Sequence, residues 1–417
     1  TPTNTNFVAG GARNSTSDVL VDGAIVNTTE QNTGATDLKY TPSVDAVQEF
    51  KIQMNFFNAE YAESGGAVVN LVTKSGTNQF HGDAYYYRRD STLNANSWSN
   101  NRSGAPKTYY RRDQPGIVIG GPIKRNKTFF FATYEQTKAK SPQTYTGSAP
   151  IAAFRTGDFS KLLFSDGRPM TIYNPFDTYK DASGVTKRNP FPNNQIPVSM
   201  FDPVSVKAMK YIPTANSVPT NAYTFANNFY VQGIDLSMTR QMDFKVDHSL
   251  TDKLRITGRY SHQRSDGTPA NMWAAADASI GAANSPNTGP NATRNHSVAA
   301  NATWMQNPST IWVVNYGLIY STYGRNPFAA TDSTTLGLPK YMLDNAAYKA
   351  FPFFNGFGID IGTQGWLIMD RQEGVHQIAG SMTKTFSGHT LKAGYEYRRN
   401  FLDYAQPGYP QGHFSFG

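Results

Sequence analysis

A chain of 417 residues with 38 Lys plus Arg against 30 Asp plus Glu carries a formal charge of +8, and 16% of its residues are charged while 13% are aromatic. Soluble domains average about a quarter charged residues, and disordered chains are poor in aromatics, so a largely disordered chain is excluded. Mean hydropathy is −0.51, and no apolar run approaches the ~18 residues of a membrane helix, which excludes helical spans but not a membrane β-barrel, whose alternating strands keep the average low.

There is no cysteine, so disulfides, thiolate chemistry and Cys-ligated metals are absent. The basic excess is modest and forms no long block, which gives no support for nucleic acid as a partner. The chain starts at Thr1 with neither Met nor signal peptide and stops at Gly417 after a strand-like stretch, and so reads as a fragment of a longer protein.

Residues 1–78 read as a small, compact mixed module. FVAGGARNSTSDVLVDG (7–23) reads as short strands with turns, Asp22-Gly23 being a turn dipeptide. Val44, Val47 and Phe50 recur at i, i+3 and i+6 behind Pro42, predicting a short helix over 44–50. Gly65-Gly66 breaks the chain, Ala67–Thr73 reads as a strand, and Ser75-Gly76-Thr77-Asn78 as a turn.

From Gln79 the period is two. Nine strands are predicted: 79–90, 112–123, 127–138, 238–250, 253–263, 296–308, 310–324, 374–386 and 390–402. Gln241–Leu250 alternates most cleanly, with Met242, Phe244, Val246, His248 and Leu250 on one face and Gln241, Asp243, Lys245, Asp247 and Ser249 on the other. Long connections (91–111, 139–237, 264–295, 325–373) alternate with very short ones (124–126, 251–252, 309, 387–389). A soluble sandwich does not require that rhythm, whereas a transmembrane barrel does. Within the longest connection, Pro203–Tyr211 reads as a short helix.

Five segments then identify a resemblance: GARNSTSDVLVDG (11–23), VDAVQEFKIQMNFFNAEYAESGGAVVNLVTKSGTNQFHG (44–82), RRDQPGIVIGGPIKRNKTFFFATYEQTK (111–138), RNPFPNNQIPVSMFDPVSVKAMKYIPTAN (188–216) and MTRQMDFKVDHSLTDKLRITGRYSH (238–262). Together, and in this order, they resemble TonB-dependent outer-membrane receptors of the Oar-like family. The resemblance implies a mostly β fold, a transmembrane antiparallel β-barrel of which about 9 of an expected 22 strands are present, with a small α/β plug module at the N-terminus. It implies that residues 1–78 are the C-terminal part of the plug and 79–417 the N-terminal part of the barrel. It further implies a location in the bacterial outer membrane and contact with membrane lipid and lipopolysaccharide. Energy would come from the TonB complex, whose contact region lies outside this fragment. The expected cargo is a large peptide, protein or glycan, with no cofactor and no catalysis.

The resemblance places Glu49, Glu60, Glu63, Gly65, Gly66, Lys74, Ser75, Gly76 and Asn78 at the plug and its junction with the barrel. The glycines and the Ser-Gly-Thr-Asn run are the expected chemistry of an architectural hinge; the charged residues are expected to link plug to wall, some pairs breaking during transport. Arg88, Arg89, Arg102, Arg111 and Arg112 flank the first long connection and could form a rim for an anionic ligand or lipopolysaccharide phosphate, or be solvated loop-base charges. Asp243, Asp247 and Glu396 are expected to face the lumen and pair with Lys245, Arg255, Arg259 or Arg398. The seven histidines form no HExxH, and no GxSxG or phosphate loop is present. The competing reading is a secreted β-rich adhesin or carbohydrate-binding protein, which predicts polar outer faces and leaves the alternating connections unexplained.

Overall fold

The computed structural model describes residues 9, 11–13, 16–29, 36–54, 59–61, 64–104, 106–270, 289–328, 333–346, 348–356 and 360–415. Four short strands build an N-terminal sheet: β1 (Asp18–Val21), β2 (Ala24–Ile25), β3 (Val47–Met54) and β4 (Ala67–Thr73), in the order β2-β1-β4-β3. β1 and β4 run parallel, and the other two pairs are antiparallel. Asp22 (φ 49°) and Gly23 (φ 79°) close β1 onto β2 in a two-residue hairpin, a left-handed geometry suited to Asp-Gly.

The helix predicted over 44–50 is not formed. Val44–Ala46 make one 3-10 turn, and Val47 opens β3. Three apolar residues are too short a run to separate helix from strand, and pairing with the valine-rich β4 decides the outcome. The expected α/β character of the module is corrected accordingly: among its described residues it is a mixed four-stranded sheet, a two-stranded antiparallel pair (Asn27–Thr29 with Thr36–Leu38) and two 3-10 turns.

Nine long strands follow: β5 (His81–Asp90), β6 (Arg111–Lys124), β7 (Thr128–Gly147), β8 (Phe229–Thr251), β9 (Leu254–Thr268), β10 (Asn291–Asn307), β11 (Thr310–Arg325), β12 (Met369–Phe386) and β13 (His389–Ala405). Each pairs antiparallel with its chain neighbour, so the sheet is a meander with β5 and β13 at its edges. Every predicted strand is present. The clearest difference in length is at the long-connection end of β7 and β8, which stay paired out to Phe229↔Gly147. Both faces of that extension are wet, so the sequence alternation fades there.

The tight connections are made by turn chemistry. Asn126 takes φ 60° between β6 and β7, and Ser387-Gly388 (φ 41° and 79°) closes β12 onto β13. At the other end the long connections share a core: Ala149, Ala208, Ile212, Phe229, Leu336, Phe351 and Ile361 pack together. The helix expected near 203–211 spans Pro203–Met209, started by Asp202, which accepts from Val204 N at 2.8 Å and Ser205 N at 3.0 Å. Arg155 closes its far end, donating to Met209 O (3.1 Å) and Ile212 O (2.9 Å).

Burial across the nine-stranded sheet is inverted relative to a soluble sheet. On β8 the polar residues Asp243, Lys245 and Asp247 are 3–5% exposed, whereas Met242 and Phe244 are 41% and 49% exposed. The same holds on β9 and β12, where Arg259, Ser261 and Gln377 are buried while Ile256 and Ile378 are exposed, and on the edge strand β13 Tyr395 and Tyr397 are exposed. The polar face covers the N-terminal sheet, as the contacts of β2 with β10, β11 and β12 record.

Candidate functional site

The two sheets meet along a buried seam of charge. Its centre is Asp22, carried by the β1–β2 turn onto the polar faces of β8 and β9. The carboxylate accepts from Thr73 N (3.0 Å) and Thr73 Oγ1 (2.6 Å) within its own sheet. From the wall it pairs with Lys245 Nζ at 3.3 Å and Arg259 Nε at 3.0 Å. Lys245 also donates to Thr73 O (2.9 Å), and Arg259 to Val21 O (3.2 Å) and Ser297 Oγ (3.1 Å). Asn301 Nδ2 donates to Asp22 O at 2.9 Å, and Gln377 Oε1 accepts from Ile25 N at 3.0 Å.

Asp243 completes the node. It accepts from Thr133 Oγ1 (2.9 Å), Ser261 Oγ (2.5 Å) and Tyr40 OH. Two carboxylates and two cations therefore balance in a space closed to water, the condition under which buried charge is tolerated. The Arg259 guanidinium also lies 5.6 Å over the Tyr40 ring.

A second balanced group lies beside it. Lys39 contacts Asp37 at 2.5 Å and Glu373 at 2.6 Å, and Arg371 contacts Glu373 at 2.8 Å. Thr28 Oγ1 donates to Glu373 at 2.9 Å. Toward the β13 edge, Arg398 pairs with Asp18 at 3.0 Å and with Glu396. A cavity of about 850 Å³ opens there between the two sheets, lined by Asn70, Gln377, Ser381, Lys392, Glu396 and Arg398 among others.

Two of the expected wall pairs form, Asp247 with Arg255 (3.1 Å) and Glu396 with Arg398. Lys245 and Arg259 instead pair with Asp22, because the N-terminal sheet brings a carboxylate closer than the wall's own. Sequence reasoning gave Asp22 a turn role only and passed over Asp18, Asp37, Lys39 and Tyr40. The available signal was the run of polar rungs on β8, which needs buried partners once its apolar face is turned outward.

The residues expected at the junction fall in three groups. Glu60 reaches Lys392 of β13 at 2.5 Å, whereas Glu49 is exposed and makes no ion pair among the described residues. Glu63 lies outside the described residues. Gly65 N and Gly66 N donate to Thr16 O at 2.9 and 3.0 Å, and a Cβ on Gly66 would sit 2.8 Å from Ser17 Oγ. Lys74 N donates to Ala46 O (2.9 Å) while its side chain is exposed. Ser75 is half-buried and lines a small cleft with Gly82, Val118 and Phe131. Gly76 passes against the backbone of Gly121 and Phe130. Asn78 exchanges hydrogen bonds with the Asn126 turn, Nδ2 donating to Oδ1 at 2.6 Å and Oδ1 accepting from Asn126 N at 2.8 Å.

Four of the arginines expected at a rim, Arg88, Arg89, Arg111 and Arg112, lie on consecutive rungs at one end of β5 and β6. Arg88 pairs with Asp90 and Arg111 with Asp113, both at 2.8 Å. Arg89 lies 4.9 Å over the Tyr110 ring and Arg102 5.2 Å over Trp98. Arg112 is exposed and stands opposite Arg89. Among the described residues no group of His, Asp and Glu is arranged to hold a metal ion.

Burial pushes the Tyr40 phenol well above its ordinary range, with Asp243 adding to the effect. Tyr40 therefore stays a neutral donor. Tyr40→Phe is expected to weaken docking of the N-terminal sheet by about 1.5–3 kcal/mol, the range for hydrogen bonds to charged groups, read as a lower urea concentration for tryptic cleavage of that sheet. The raised pKa stabilises the docked state fully below about pH 10, where an undocked tyrosine ionises, and the benefit is lost above it. The native chain should release more easily above that pH and the Phe variant should lack the dependence; identical curves would remove Tyr40 from the seam.

Residues 72–417 match a family model described as an outer membrane beta barrel domain. The TonB-dependent transporter Oar of Myxococcus xanthus is 29% identical over 154 residues, covering 34% of this chain and 14% of that protein. The outer membrane transporter YddB of Escherichia coli superposes with a TM-score of 0.51 at 9% identity, over 95% of this chain and 42% of that one. The ferric enterobactin receptor PfeA of Pseudomonas aeruginosa gives 0.48 at 12% identity, over 94% and 42%. The chain thus spans less than half the length of each of these relatives. The YddB likeness speaks to the fold, and the relative matched in sequence is a transporter. The family match covers most of the sequence: the chain belongs to the outer membrane beta barrel domain family and is a TonB-dependent-receptor-like protein of the outer membrane.

Proposed function

We propose that the chain forms part of a TonB-dependent outer-membrane transporter that moves a large ligand (peptide, protein or glycan) through a plugged barrel. In this reading β5–β13 cross the bilayer, the long connections face outward, and residues 1–78 belong to the plug while 79–417 belong to the wall. The observation that carries it is the inverted burial, with charged residues sealed between the sheets and Met242, Phe244, Ile378 and Tyr397 turned outward. Only lipid rewards that arrangement. Closure would require further strands joining β13 back to β5, because open edges have no partner in hydrocarbon.

The seam suits a movable plug. Its contacts are charged and hydrogen-bonded, so water entering behind a displaced plug can solvate both halves. The Glu60–Lys392 pair, with Lys74, Glu49 and Glu63 near the junction, would be among the links remade during transport. Force would reach the plug through the TonB complex. Arg88, Arg89, Arg102, Arg111 and Arg112 would supply positive potential at the mouth for an anionic ligand or lipopolysaccharide.

These 417 residues hold no cysteine, so a single label placed among them can be read against the unsubstituted protein. Single substitutions Ser183→Cys and Gly356→Cys in long connections, and Arg125→Cys in a short turn, would be made in the protein at its natural length. A membrane-impermeant maleimide on intact cells is expected to label the first two and spare the third until the outer membrane is broken. Equal labelling of all three, or release of the protein into the medium, would refute the reading and favour a secreted β-rich binding protein.

A further inference from the structure

On the outward face, just on the long-connection side of the apolar band, three arginines stand side by side. Arg240 of β8 is directly opposite Arg264 of β9, which is directly opposite Arg294 of β10. Their outward direction follows from the alternation, since Gln241, Asn295 and Arg259 are buried on the inner face. Directly opposite residues place their Cβ atoms about 4.5–5.5 Å apart, and like charges so placed repel. Asp266 neutralises only the middle one, taking Arg264 through Nε (2.9 Å) and Nη2 (2.9 Å). Among the described residues neither Arg240 nor Arg294 makes an ion pair. The next rung toward the short turns holds His262 opposite His296, their rings 4.5 Å apart, with Tyr260 OH 2.8 Å from His296 Nδ1. Below these come Phe244, Ile256, Trp304 and Trp312, exposed and apolar.

We propose that Arg240, Arg264 and Arg294 clasp the phosphates of an anionic membrane lipid whose chains lie along the band beneath. The inference rests on the reading that the apolar face meets lipid. A lone surface anion would use the arginines but not the adjoining apolar band; a phosphorylated lipid uses both. Guanidinium is the group suited to bidentate phosphate contact, and a bridging phosphate turns the repulsion along the row into attraction. This site is on the outside of the wall, apart from the residues flanking the first long connection.

The test uses the protein at its natural length, purified in neutral detergent and titrated with diphosphoryl lipid A, monophosphoryl lipid A and inorganic phosphate. The triple variant Arg240→Gln/Arg264→Gln/Arg294→Gln is expected to lose at least about tenfold in affinity for the diphosphoryl lipid, roughly the worth of one charge-assisted contact. Monophosphoryl lipid A should bind the native protein more weakly, and inorganic phosphate at equal concentration should not compete. Arg125→Gln/Lys253→Gln, in turns at the opposite end, should bind as the native chain does. Unchanged binding by the triple variant, an equal loss in the turn variant, or competition by phosphate would each overturn the clasp. If the triple variant fails to insert, Arg294→Gln alone, at an exposed position, carries the same comparison. Impermeant labelling that succeeds while lipid binding is unchanged removes only the clasp; labelling that fails removes the transport reading itself.

Discussion

Asp22→Ala is expected to weaken docking of the N-terminal sheet by about 3–5 kcal/mol, the range for removing one partner of a buried ion pair. The substitution strips the counter-ion from Lys245 and Arg259 together and leaves Thr73 N and Oγ1 without their acceptor. Asp243 alone then faces two buried cations. Asp22→Ala/Lys245→Met restores the balance, Arg259 against Asp243, and should be less destabilised than the sum of its single changes. The measurement is the urea concentration at which trypsin begins to cut residues 16–54, made on the natural-length protein. If the N-terminal sheet plugs a barrel as proposed, loosening it would admit large antibiotics that the outer membrane normally excludes, so vancomycin sensitivity should rise in the single variant and fall back in the double. An Asp22→Ala protein with native urea and antibiotic profiles would show that the seam does not hold the two sheets together.

The wall was legible because its physics is local. Alternation on Gln241–Leu250 and in the β9 and β13 segments places every residue on a face, and turn residues such as Asn126 and Ser387-Gly388 punctuate the strands. The alternation does not say which face is buried, and a reader applying the rule for soluble sheets would have turned Met242 and Phe244 inward. The rhythm of long and short connections resolves that, and the observed burial agrees with it. The seam was not legible. Asp22 meets Lys245 across more than two hundred residues of sequence, and Asp37 and Lys39 meet Glu373 and Arg371 across still more. No periodicity encodes such contacts. The module departs from expectation at Val44–Phe50, where a strand neighbour rather than local spacing decides the backbone.

The balanced groupings also bear on how the N-terminal sheet could part from the nine-stranded sheet. A seam of apolar side chains would resist separation in proportion to its area. Here the apolar part of the contact is small, Val19, Val21, Ile25 and Tyr40 against Ile319 and Val375, and charge surrounds it. The groups around Asp22 and around Glu373 are each neutral as a unit in the docked state, so separation exposes ions of both signs, which water solvates well. Such an interface is specific in register yet costs less to part in water than its contact density suggests.

Gly76→Ala is expected to cost at least about 3 kcal/mol, the upper end for overpacking, and to act at the hinge rather than the seam. A Cβ at this position would lie 2.2 Å from Phe130 O, 2.6 Å from Gly121 O and 3.0 Å from Gly121 N. All three are backbone atoms of the paired strands β6 and β7, so no side chain can swing aside. Residues 74–80 must lift from the wall, which pulls Asn78 from the Asn126 turn. Asn78→Ala removes only those exposed hydrogen bonds and should cost about 1 kcal/mol. The comparison separates the two roles: Gly76→Ala should lower the thermal midpoint of the wall and expose the 74–80 segment to protease, while the urea midpoint for residues 16–54 changes less than in Asp22→Ala. If Gly76→Ala melts and resists protease as the native chain does, the close crossing of residues 74–80 over β6 and β7 is not present in the folded protein.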